Sequence, residues 1–160
     1  MHLPTQMSLR VFLLVFIVAG FWGKKGAELR EVNDDKFKPG QVWSYNTREN
    51  EEASTLTVLR VDEYSEKKRI VHIRVDHVHL KNCHGGNAPE TFEHMPFSRE
   101  SLDEIVIKAL RNGPVPDFHN GYSEWRSAWD AGKAGFYTIT VAQALDASQA
   151  VFDQGIGCSK

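Results

Sequence analysis

Cysteine is scarce in this chain, two residues in 160, and no Cys-x-x-Cys pair occurs. That excludes the common zinc-finger and dithiol redox spacings. A Gly-x-Ser-x-Gly elbow, a His-Glu-x-x-His helix and a phosphate-cradling glycine loop are also missing, and with them the most recognisable hydrolase, metalloprotease and nucleotide-binding signatures. No basic stripe runs along the chain, which sets aside nucleic acid and anionic lipid as partners. No internal repeat is visible, so a solenoid is excluded. At 41% hydrophobic and 25% charged residues, what remains is the composition of one ordinary globular domain.

The N-terminus differs from the rest. Arg10 precedes the apolar run from Val11 to Gly23, and Lys24 and Lys25 follow it. Those 13 residues would rise about 20 Å as a helix, short of the ~30 Å hydrocarbon core of a bilayer. Residues 1–27 therefore read as an export signal, with an uncleaved membrane anchor over residues 11–23 as the alternative. Val18-Ala19-Gly20 suits the small-residue cleavage rule better than Lys25-Gly26-Ala27, and Met7 offers a second start with a compact basic front. Losing residues 1–27 removes Arg10, Lys24 and Lys25 but no acidic residue, leaving 16 basic against 21 acidic side chains and a net charge of −5. The expected location is periplasmic or extracellular, or tethered at the membrane. In such an oxidising compartment Cys83 and Cys158 form a natural disulfide pair, closing a loop of about 75 residues. In cytosol they would be two free thiols.

Residues 28–40, charged, patternless and ending in Pro-Gly, read as a linker, with a single domain over 41–160. Strands are expected over 41–48, 54–62 and 69–80, where β-branched and aromatic residues alternate with polar ones. The polar connections between them suggest an antiparallel meander. After a Gly/Asn/Pro-rich loop from Lys81 to about Pro96, the spacing of Leu102, Ile105, Val106, Ala109 and Leu110 predicts a helix from Ser98 to Gly113. A short helix over 121–130 aligns Tyr122, Trp125 and Trp129. A fourth strand is expected over 136–140, then a helix capped by Thr140. The order predicts an α+β fold: an antiparallel sheet of three to four strands, meander first, with about three helices packed on one face.

The densest chemistry lies in "DHVHLKNCHGG", residues 76–86. Along the third predicted strand Val71, Ile73 and Val75 face one way, while His72, Arg74 and Asp76 face the other, the side expected to see solvent. Beyond Asp76 the phase inverts, because Val78 and Leu80 take the even positions. A bulge near Asp76 or His77 would keep the inner face apolar and turn His77 and His79 outward. Those two histidines, about 7 Å apart on one face of a strand, offer a zinc site with Cys83, His84 or His94 as further ligands. A disulfide to Cys158 would remove the thiolate from that set. Cys83 also lacks a well-placed base for nucleophilic catalysis, since the neighbouring His84 diverges from it in extended structure.

The acidic pair Asp103-Glu104 suits the opening turn of a helix, where negative charge meets the helix dipole. The aromatic set Trp43, Tyr45, Tyr122, Trp125, Trp129, Phe136 and Tyr137 reads mainly as core. The loop 114–122, with Phe118, His119, Tyr122 and Trp125, is the candidate contact element. The reading that results is a small exported, non-catalytic binding module of inhibitor, immunity or envelope type, without a cofactor, that meets another protein or envelope component. A metal-binding protein or metal-dependent hydrolase using His77, His79 and a loop ligand is the alternative.

Overall fold

The computed structural model describes residues 26–158. The expected export signal or anchor falls, up to residue 25, outside the described residues. Among these, no helix is long and apolar enough to cross a membrane.

The chain orders as β1 (Arg30–Glu31), β2 (Gln41–Tyr45), β3 (Thr55–Ser65), β4 (Lys68–Asp76), β5 (Thr91–Ser98), α1 (Arg99–Ile105), β6 (Val106–Asn112), α2 (His119–Asp130) and α3 (Val141–Gly155). It is an α+β fold on one six-stranded antiparallel sheet in the order β5-β4-β3-β2-β6, with β1 pairing the distal half of β3. The β2-β3-β4 meander is present as expected. The sheet is larger than three or four strands because β1, β5 and β6 join it.

Pro96 and the polar flanks of β5 hid a strand. Its apolar Phe92, Met95 and Phe97 are buried, and a proline is tolerated because this strand lies at the end of the order. The helix expected from Ser98 to Gly113 ends at Ile105: Val106 turns extended, at φ −72° and ψ 138°. The adjacent β-branched Val106 and Ile107 lose side-chain freedom in a helix, and β2 supplies a partner for their backbone groups. Only Leu102 and Ile105 of the apolar stripe are buried. The strand expected over 136–140 reduces to one parallel bridge between Phe97 and Tyr137.

Residues 28–40 are no linker. Phe37 is wholly buried, and the buried Asp34 carboxylate accepts the Lys36 and Phe37 amides and ion pairs with Arg69 and Arg99. Those donors outweigh the cost of burial and hold its pKa well below the ordinary carboxylate range.

Helices cover both faces of the sheet, not one. On one face Leu56, Val58, Val61, Val71, Ile73, Val75 and Phe97 meet Leu102 and Ile105 of α1 and Val141, Ala144, Leu145 and Phe152 of α3. Thr140 caps α3 in a reciprocal capping box with Gln143. On the other face Leu29 and Ile70 meet Trp125 and Trp129 of α2, with Tyr64, Tyr122 and Phe136 packed around them. Both indole N–H groups find carbonyls, Trp125 that of Gly135 and Trp129 that of Ala27, each at 2.7 Å.

Candidate functional site

Two irregularities in the sheet build a polar cluster beneath α2. The first is at Leu59, where the pairing of β3 with β4 shifts between Val58 and Arg60. The extra residue reverses the alternation, so Val58 and Val61 share the apolar face while Arg60 and Asp62 point to the α2 face. The second is on β5, where Met95 pairs with Ile73 and Phe92 with Val75, leaving Glu93 and His94 opposite Arg74 alone. That bulge aims His94 at His72 on the neighbouring strand.

The result is a chain of polar groups. Arg60 Nε donates to Asp62 Oδ1 at 2.8 Å and the Tyr122 hydroxyl donates to Asp62 Oδ2 at 2.7 Å. His72 Nε2 stands 3.2 Å from Asp62 Oδ2, near enough for attraction but too bent for a hydrogen bond. His72 Nδ1 and His94 Nε2 are hydrogen-bonded at 2.8 Å. Trp125 and Tyr122 set their rings edge-on to His72, at 4.7 and 5.1 Å between centroids. Arg60 also lies over the Tyr122 ring at 5.0 Å.

Both Asp62 and His72 are completely buried. Burial alone would raise the Asp62 pKa, yet His72, Tyr122 and Arg60 hold it below the ordinary value. Burial pushes His72 down despite the attraction of Asp62, and burial with the neighbouring His72 brings His94 down to about 3. Both imidazoles are thus neutral at pH 7. The Asp62 carboxylate 3.2 Å away favours the His72 proton on Nε2, the tautomer in which His72 Nδ1 accepts from His94 Nε2–H. His94 Nδ1 is left as a bare acceptor. It has no hydrogen bond to the described residues and is not sealed from water. So weak a base is poorly matched to proton transfer near neutrality, but a lone pair held in a fixed direction suits recognition of a hydrogen-bond donor.

Around His94 gather most of the residues expected to bind. Gly121 of α2 packs so closely on it that a Cβ there would come within 2.8 Å of His94 Cβ. Tyr122 lies 5.9 Å from the His94 ring and Phe118 5.8 Å from Tyr122. His119 is exposed and stands 6.1 Å from Phe118. Trp125 is buried, so it supports the patch from below. His72, Asp62 and the His94 contact were missed by the sequence reading, which left the His72 side of β4 open to solvent. The available signal was the Tyr122/Trp125/Trp129 stripe, which needs an apolar or aromatic surface to cover.

The proposed metal ligands do not converge. β4 ends at Asp76, and His77 takes a left-handed conformation at φ 58°. This carries Val78 and Leu80 inward and leaves His77 and His79 exposed. The His79 amide donates to the buried Glu51 carboxylate at 2.6 Å, which anchors the segment. His94 turns its Nε2 to His72 beneath α2 and joins no group of described residues close enough to share an ion. Among the described residues, the group close enough to share an ion is Cys83, His84 and Cys158, and its two sulfurs are bonded to each other, with the Cα atoms 6.0 Å apart. His84 instead meets the Ile156 carbonyl through Nε2 at 2.7 Å, so the loop is stapled to the end of α3. No family model, curated protein or solved structure matches this chain.

Proposed function

We propose that the chain is an exported, non-catalytic binding module that recognises another protein or an envelope component through His94, Phe118, His119 and Tyr122. The observation that carries this reading is His94 Nδ1, a ring nitrogen without a hydrogen-bond partner among the described residues, on an imidazole held by His72 and, behind it, Asp62. Aromatic rings beside an oriented polar atom supply the contact area and the directional bond that recognition uses. Export is supported by the apolar run at Val11–Gly23 and by the Cys83–Cys158 bond, since structural disulfides persist in oxidising compartments.

Affinity capture from an envelope extract tests the surface. A partner retained by the wild-type chain should be lost with Phe118→Ala and with His119→Ala, and kept with Asp146→Asn on α3, which covers the opposite face. Equal retention by all three variants would rule the patch out.

A further inference from the structure

The two edges of the sheet are treated differently. At the β5 edge the Tyr137 amide donates to the Pro96 carbonyl at 2.9 Å and the Ser98 amide to the Tyr137 carbonyl at 2.8 Å. Phe92, Met95, Pro96, Phe97 and Ser98 are all buried there. At the other end β6 pairs with β2 and has no second neighbour among the described residues. Every residue from Ile107 to Asn112 is exposed, including Ile107 at 65% and Leu110 at 48%, and Val115 follows at 41%. Its pairing with β2 skips Leu110 and Ile107, so these two residues bulge from the ladder, while the rest of the strand turns its second row of backbone N–H and C=O groups outward, as an edge does.

Charge decides what can lie on it. β6 reads VIKALRN, with Lys108 and Arg111 and no acidic residue, in a chain of net charge −2. A second copy pairing antiparallel would bring two Lys108 and two Arg111 onto one short ribbon with no carboxylate to offset them. Residues 1–25 carry Arg10, Lys24 and Lys25 and likewise no acid. Both occupants meet like charge. Edge cations and bulges are both common defences against aggregation, but here the bulged residues are the exposed, apolar Ile107 and Leu110, which a purely defensive edge would replace.

We propose that the free edge of β6 takes up an extended segment of a partner protein in which apolar residues alternate with carboxylates, adding it as a further strand. Backbone hydrogen bonds would supply the affinity, Ile107 and Leu110 the apolar contact, and Lys108 and Arg111 the selection for acid. This contact is independent of the His94 patch. His94 lies on β5, four strands away, or about 19 Å at the usual strand spacing.

Two blocked eight-residue peptides test it on the disulfide-intact chain, one alternating valine with glutamate and the other valine with lysine. The glutamate peptide should protect amides 106–112 from hydrogen exchange, leave amides 91–98 unchanged, and bind about tenfold more tightly than the lysine peptide. The double variant Lys108→Glu, Arg111→Glu should reverse that preference. Should the variant fail to fold, salt dependence reads the same charges: raising ionic strength from about 0.05 to 0.5 M should weaken glutamate-peptide binding to the wild-type chain several-fold. Equal affinity for the two peptides, or protection elsewhere than β6, would overturn the proposal. So would a concentration-dependent dimer abolished by Leu110→Glu, which would assign the edge to a second copy.

Discussion

Helices cover both faces of this sheet, yet the two layers are built of different material. Beneath α1 and α3 the contacts are mostly Leu, Ile, Val and Phe, with Tyr45 the one polar side chain among the buried members of the cluster and no carboxylate or imidazole. Beneath α2 the same strands present Arg60, Asp62, His72 and His94, with Tyr122 and Trp125 over or beside them and Tyr64, Trp129 and Phe136 packed further along the same layer. An apolar layer gains free energy from area and close packing. A layer holding a carboxylate and two imidazoles keeps its stability only while each polar atom is partnered. The first layer should therefore respond to lost volume, the second to lost protons and lost contacts.

The largest effect is expected on the apolar side. Leu145→Ala removes a wholly buried side chain and should cost roughly 2–5 kcal/mol in urea unfolding, without altering how stability depends on pH. A loss under about 1 kcal/mol would show that α3 does not carry this core.

Acid should weaken the other layer. His94 has a folded pKa of about 3 against an ordinary 6.5, and that of His72 is lowered too. Between those values the unfolded chain binds the extra protons, so stability rises with pH and is lost as pH falls below the ordinary histidine range. From pH 6.5 to 5 the cost for His94 is about 1.6 kcal/mol, and the lowered His72 adds to it in the same direction. The lowered carboxylates, Asp62, Asp34 and Glu51, act in the same direction but only near and below their ordinary values of 3.8 to 4.5. Urea midpoints at pH 7, 6 and 5 measure this, and His94→Phe should flatten the slope. A midpoint independent of pH over that range would contradict burial of the pair.

The smallest effect probes how tightly α2 sits. Gly121→Ala places a methyl 2.8 Å from His94 Cβ; the helix gains intrinsic propensity while the contact is strained, for a net loss of roughly 1 kcal/mol. The diagnostic reading is the His94 ring resonance, which should move, while Leu145 methyl signals stay in place.

Much of the architecture was readable in particular residues. The alternation of β2, β3 and β4, the Thr140 cap of α3 and the Trp125/Trp129 stripe of α2 each depend on neighbours a few positions apart. The helix expected through Leu110 failed because Val106 and Ala109 match helical spacing as well as they suit an edge strand, and the vacancy beside β2 settled the choice. The outward His77 and His79 followed from the phase change at Asp76, although a left-handed residue ending the strand, and not a bulge within it, accomplishes it.

The candidate site was legible only in part. Phe118, Tyr122 and Trp125 stood out by composition and spacing. Asp62 and His72 did not, and His94 was offered only as a metal ligand, because the three come from different strands and gain their meaning by meeting. By itself the sequence determined the strand alternation, the helix cap and the oxidisable pair of cysteines, all matters of local periodicity or residue chemistry. The tertiary structure alone decided that two one-residue irregularities, at Leu59 and at Glu93-His94, turn Asp62 and His94 toward His72. A shift of one position exchanges the faces of a strand, and only the partner strand reveals it.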